Sequence, residues 1–187
     1  MEPTITNAAA WFESDTSVGE IVVTENEIKD KIAELGQRIT QDYSGRTLLI
    51  VGVLKGALLF VADLIRSIDL PVEYDFMAVS SYGVTTKTSG VVRIVKDLDV
   101  DLTDKDVLIV EDVIDSGLTL SYLVRNLRAR NARSVCVCAL LVKEGLQPAN
   151  LEITYTGFVI PPIFVIGYGL DLAEKYRNLP FVAIYNG

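Results

Sequence analysis

Between Asn26 and Tyr43 the apolar side chains Ile28, Ile32, Leu35 and Ile39 fall four, three and four residues apart, with polar and charged residues between them. That period gathers them on one face and predicts an amphipathic helix that packs. Thr47 to Leu54 (TLLIVGVL) breaks the period with a continuous aliphatic run, which predicts a buried strand. Ala57 to Ile68 (ALLFVADLIRSI) then has the length and content of a helix. After Pro71, VEYDFMAVSSY and VVRIVKDL predict two strands joined by the polar, glycine-bounded segment Gly83 to Gly90 (GVTTKTSG). DVLIV (Asp106 to Val110) is another strand-like run, and it meets the carboxylates Glu111, Asp112 and Asp115. Leu120, Leu123, Val124 and Leu127 trace a second amphipathic helix, and SVCVCALLV (Ser134 to Val142) is again strand-like. Shorter strands are expected around Ile153 to Gly157, Phe164 to Gly167 and Phe181 to Tyr185.

Fully apolar strands alternating with helices predict an α/β fold, an open, doubly wound, mostly parallel sheet with helices on both faces. A sheet covered on one side only would alternate polar with apolar positions. The 187 residues fit one domain, 1–187, whose first twenty or so residues are expected to be partly disordered. The longest apolar stretch, Thr47 to Ile65, is interrupted by Lys55 and Asp63, so no membrane span is expected. The first residues, MEPTITNAAAWFESD, lack a basic start and a long apolar run, so no secretion signal is expected either, and the expected location is the cytoplasm.

Composition narrows the chemistry. There is no histidine, which excludes Ser-His and Cys-His nucleophile pairs and any zinc site built on imidazole. Acid-base work falls to Asp, Glu, Lys or Tyr. The two cysteines, Cys136 and Cys138, lie two apart on one predicted strand, where alternation turns both to the same side as small buried apolar groups. A formal charge of -8, from 25 acidic and 17 basic side chains, repels a nucleic-acid backbone, so DNA and RNA are not expected partners. An anionic small substrate remains possible where backbone amides, a few placed cations and a metal ion overcome that field locally.

The most informative stretch is VLIVEDVIDSGLTL, Val107 to Leu120, which sets three carboxylates, a Ser-Gly turn and a threonine between a buried strand and a helix. Ligands bind beyond the carboxyl ends of strands in open α/β sheets. Ser116, Gly117 and Thr119 at the helix start offer unpaired amides and the positive end of the macrodipole to a phosphate monoester. Glu111 and Asp112, at the expected strand end, are suited to hold Mg²⁺ directly or through its waters. A plainer reading of the same residues is an acidic capped helix start, with Asp115 or Ser116 accepting a helix amide and the carboxylate pair solvated.

That stretch resembles the PRPP-binding signature of type I phosphoribosyltransferases: an apolar strand, two acidic residues, two apolar residues, then Asp, a small hydroxyl residue, Gly, any residue and Thr. VGVLKGALLF, SSYG with its following loop, LLVKEG and IFVIGYGLDLAEKYRNLP, in that order, are similar to the hypoxanthine-guanine branch. The resemblance runs from about Thr47 to the last residue and implies the type I fold, with a small hood from the N- and C-terminal segments (parts of 20–46 and 143–187).

It also implies purine salvage: Mg²⁺-dependent transfer of the 5-phosphoribosyl group of PRPP to N9 of hypoxanthine or guanine, giving IMP or GMP and pyrophosphate. By resemblance Asp115 is the catalytic proton acceptor beside purine N7, and Glu111 and Asp112 lie near the ribose hydroxyls and the metal. Asp115, Ser116, Gly117, Leu118 and Thr119 cradle the 5′-phosphate. Lys55 and Gly56 belong to a pyrophosphate loop that often contains a cis peptide, and Arg177 contacts pyrophosphate. Lys143 donates to the base's O6, Phe164 stacks on the purine, Val165 reads it through the backbone, and Asp171 is a further metal-side carboxylate. Ser81 and Tyr82 head a closing lid, and a homodimer or homotetramer is implied.

The chain departs from its relatives at IPPIF (Ile160 to Phe164), which carries no charge, and at EGLQPANLE, which is less basic. Three other readings stand beside this one. They are a transferase for another base such as xanthine, a non-catalytic PRPP-sensing protein, and a receiver-type signalling domain with its own acidic cluster.

Overall fold

The structure, a computed structural model, describes residues 15–82, 91–148 and 151–187. Helix α1 spans Glu25–Asp42 and opens on a capping box, in which Thr24 and the Glu27 side chain each satisfy the other's backbone amide. Its Ile28, Ile32, Leu35 and Ile39 are buried, as their spacing predicts. Strand β2 (Leu48–Leu54), helix α2 (Leu58–Ser67), strands β3 (Val72–Tyr82) and β4 (Val91–Lys96), strand β5 (Asp106–Ile114), helix α3 (Leu118–Arg128) and strand β6 (Ser134–Lys143) follow in the predicted order.

A six-stranded sheet forms in the order β4-β3-β2-β5-β6-β7, where β7 is Tyr155–Ile160. Every neighbouring pair is parallel except β3 with β4. Along β2, Leu48 and Ile50 join one buried cluster with α1 and α2, while Leu49, Val51 and Val53 join a second cluster with α3. Alternation therefore sends successive residues into two cores, which is why the strand reads as apolar throughout. Cys136 and Cys138 both pack on the α1–α2 side and are free thiols, as alternation requires.

A second, three-stranded antiparallel sheet, ordered β1-β9-β8, joins Val18–Val23 to Val182–Tyr185 and Val165–Ile166. This is the small hood expected from the two ends of the chain. Among the described residues no helix is long and apolar enough to cross a membrane.

Three elements differ from the expectation. Strand β5 runs four residues past Val110, because Glu111, Val113 and Ile114 still pair with β6 after pairing with β2 has ended at Gly52↔Val110. Strand β7 begins later than Ile153 and continues through Gly157, where a Cβ would lie 2.4 Å from the Leu140 carbonyl; that glycine permits close strand approach and does not end the strand. Strand β1 was not anticipated, since its partner β9 lies at the far end of the chain. Most of the first twenty residues, the expected disordered stretch, lie outside the described ones.

Candidate active site

From β2 the chain passes through α2 to β3 on one side, and from β5 through α3 to β6 on the other. The strand order therefore reverses between β2 and β5, and the crevice beyond their carboxyl ends is the switch point where such sheets bind ligands. A cavity of about 410 Å³ opens there. Its lining brings together Lys55, Gly56, Glu111, Asp112, Asp115, Lys143, Phe164, Val165, Asp171 and Arg177, ten of the residues predicted from sequence.

On the β2 side the Leu54–Lys55 peptide is cis. The loop is held by tight packing: a Cβ on Gly56 would fall 1.6 Å from Asp112 Oδ2, and a Cβ on Gly169 would fall 2.0 Å from the Gly56 carbonyl. Gly169 has φ +99°, which a side chain disfavours as well. The GYGLD segment thus closes directly onto the LKG loop. Gly56→Ala is expected to displace the Asp112 carboxylate and raise KM for PRPP by about tenfold or more, with the fold retained; steady-state kinetics beside a melting curve checks this.

On the β5 side burial, and then the neighbouring Asp112 charge, push the Glu111 carboxyl well above the usual carboxylate range. Burial pushes Asp112 up to about 6, against the downward pull of the Val113 amide, its own amide and the Arg177 charge. Among the described residues no three His, Cys, Asp or Glu side chains converge as a metal-holding group. The donor set is instead the neighbouring carboxylates Glu111 and Asp112, whose burial disfavours their ionised form. It suits a Mg²⁺ that keeps its waters and takes further oxygens from a phosphorylated substrate.

Helix α3 begins at Gly117, φ +68°, with no side-chain cap. Neither Asp115 nor Ser116 accepts a helix amide, so the capped-helix reading does not hold. Among the described residues the amides of Ser116, Gly117, Leu118 and Thr119 meet no protein acceptor. Ser116 to Thr119 lie beside the cavity and do not line it; Leu118 lines a separate hollow beside α3.

Lys143, at the end of β6, donates to Asp115 Oδ2 at 2.8 Å. Its side chain is 13% exposed against 57% for Asp115, so the ammonium comes from the protein wall and the carboxylate from the open turn. Phe164 is exposed at the rim, and Tyr185 meets its ring edge to face with centroids 6.0 Å apart. Arg177 donates to the Gly169 carbonyl at 2.7 Å and pairs with Asp171 at 2.9 Å. Its Nε is buried without a protein partner.

Glu174 is a site residue missed from sequence. Its carboxylate lies 3.1 Å from Lys55 Nζ and 3.3 Å from Arg177 Nη2, so it joins the two cations assigned to pyrophosphate. Its φ is +66° and its amide donates to Asp171 at 2.8 Å. The place of Glu174 three residues before Arg177 was the available signal. Ser81 and Tyr82 lie in β3 by their backbone pairing with Val92 and Val91. The Gly83 to Gly90 segment, expected as a lid, lies outside the described residues.

The sequence profile of the phosphoribosyl transferase domain matches residues 20–173. The hypoxanthine-guanine phosphoribosyltransferase of Mycobacterium tuberculosis is 56% identical over 168 residues, covering 87% of this chain and 83% of that protein. That of Bacillus subtilis is 50% identical, over 89% of this chain and 93% of its own. Among solved structures, a hypoxanthine phosphoribosyltransferase of Staphylococcus aureus superposes with a TM-score of 0.87 at 42% identity, covering 91% and 92% of the two chains. A hypoxanthine-guanine phosphoribosyltransferase of Bacillus anthracis, with a HEPES molecule in its active site, gives 0.86 at 43% identity, over 90% and 99%. The chain belongs to the phosphoribosyltransferase family, within its hypoxanthine-guanine branch.

Proposed function

We propose that this protein transfers the 5-phosphoribosyl group of PRPP to N9 of hypoxanthine or guanine, forming IMP or GMP and pyrophosphate. The observation that carries the reading is the 2.8 Å contact between Lys143 and Asp115. It sets a donor beside an acceptor at the mouth of the crevice. A 6-oxopurine presents the complementary pair on one edge, O6 to accept and N7–H to donate. Adenine presents a donor at position 6, which an ammonium with three donors and no acceptor cannot meet.

In the reaction N9 attacks C1′, the C1′–pyrophosphate bond breaks, and the N7 proton passes to Asp115. Lys143 holds O6, Phe164 stacks on the ring, and the Val165 backbone reads its edge. The bare amides of Ser116 to Thr119 receive the 5′-phosphate at the positive end of α3. The Lys55–Gly56 loop and the Arg177 guanidinium, which line the same cavity, receive pyrophosphate. Glu111 and Asp112 would lie near the ribose hydroxyls and would hold Mg²⁺ together with substrate oxygens, with Asp171 as a further metal-side carboxylate. The metal supplies positive charge that offsets both the phosphates and the carboxylate pair. A lid headed by Ser81 and Tyr82 excludes water that would hydrolyse PRPP. One domain with its hood, assembled as a homodimer or homotetramer in the cytoplasm, completes the reading; sedimentation analysis tests the assembly.

The site's charges give a pH dependence. Asp112 binds its proton more tightly in the fold than in the unfolded chain, so stability without metal is expected to fall as pH rises from about 4 to about 6. Mg²⁺ with PRPP would take the ionised pair, so its stabilisation is expected to grow as pH rises. Melting curves at acid and neutral pH, with and without Mg²⁺ and PRPP, check both signs.

The function is tested by incubating the protein with PRPP, Mg²⁺ and hypoxanthine or guanine and following IMP, GMP and pyrophosphate. Stoichiometric nucleotide and pyrophosphate, lost on chelation of the metal, is the expected outcome. Absence of nucleotide with every purine refutes the reading.

A further inference from the structure

The segment after Lys143 has no part in the mechanism above, yet its Gln147 reaches the backbone of two residues that line the site. Gln147 Nε2 lies 2.5 Å from the Lys143 carbonyl, 2.9 Å from that of Asp115 and 3.3 Å from that of Ile114. All three neighbours are carbonyl oxygens, so only the NH₂ end of the amide fits there and its orientation is fixed. The register of β5 with β6 ends at Ile114↔Val142, one residue short of Asp115 and Lys143. Lys143 is still held on its other side, where it pairs with Ile160 of β7. Gln147 spans the opening on the β5 side, where the proton acceptor leaves the sheet for the exposed turn.

We infer that Gln147 is a positioning residue: its amide clamps the ends of β5 and β6 and fixes the spacing of Asp115 and Lys143 that the O6/N7 edge of the base requires. The inference rests on the proposed function. The Asp115 side chain is exposed, so no surrounding core holds it and the backbone of the turn sets its position. A misplacement of about 1 Å at a reacting group costs up to about 10²-fold, and two lost amide hydrogen bonds permit such a shift.

Gln147→Met keeps length and volume but removes the donors. It is expected to raise KM for hypoxanthine about tenfold while KM for PRPP stays within about twofold, because the hydrogen bonds of Gln147 reach neither the amides of Ser116 to Thr119 nor the LKG loop. Gln147→Glu gives an independent readout. Its ionised carboxylate faces three carbonyls, whereas its protonated form supplies one O–H donor, so its deficit relative to wild type shrinks as pH falls.

Wild type, both variants and Lys143→Ala are compared by steady-state kinetics and thermal melting. A selective rise in the base KM with the pH-dependent Glu deficit supports the clamp. Unchanged base KM in a folded Gln147→Met, equal loss for base and PRPP, unfolding of both variants, or a Glu deficit indifferent to pH each overturns it. Inactive wild type, or Lys143→Ala with normal base KM, refutes the proposed site itself and the inference with it.

Discussion

Asp115→Ala is expected to lower kcat by about 10²- to 10⁴-fold, the range for a positioned acid-base group, while Mg²⁺-dependent PRPP binding changes within about threefold. The separation follows from where the side chain stands. The Asp115 side chain is exposed, caps no helix and, among the described residues, is hydrogen-bonded by Lys143 alone, so its removal is expected to leave the fold intact. The proposed phosphate cradle uses backbone amides that alanine retains. Asp115→Asn keeps the shape but cannot take the N7 proton, and a similar loss is expected. Pre-steady-state IMP formation, with PRPP affinity measured by calorimetry, checks both halves.

Lys143→Ala is expected to act on recognition. The side chain is 13% exposed and lines the cleft, where the proposed function has its ammonium donate to O6. Its loss removes a charge-assisted hydrogen bond and should reduce kcat/KM for hypoxanthine and guanine by about 10- to 100-fold. Adenine, which gains nothing from the ammonium, is expected to lose much less, so the preference for 6-oxopurines narrows. Steady-state kinetics with the three bases reads this directly. An equal loss for all three would move Lys143 from base recognition to a general structural role.

Sequence carried the sheet because its strands are buried on both faces: Leu48 to Val53 is apolar at every position, and a short unbroken run bounded by a Lys-Gly turn has few other readings. It carried much of the site for a related reason. Glu111, Asp112, Asp115 and Gly117 lie close together in sequence and in space, so local order and spatial order coincide.

What escaped has the opposite character. Strand β1 depends on pairing with β9 at the far end of the chain, and no local pattern encodes that partner. Glu174 reaches Lys55 across 119 residues and adopts a positive φ that its residue type does not announce. Gln147 acts through backbone carbonyls, which every residue possesses, so its role shows only when the ends of β5 and β6 are seen together. The acidic strand end was placed too early because Glu111 loses its β2 neighbour while keeping β6, a distinction of register that composition cannot express.

The most direct test is the ratio of kcat/KM for hypoxanthine to that for adenine at saturating PRPP and Mg²⁺. A donor and an acceptor paired at the mouth of the crevice predict strong preference for the 6-oxo base, at least about 10³-fold, since adenine offers the Lys143 ammonium no acceptor at position 6. A ratio near one, or turnover of adenine alone, contradicts the account.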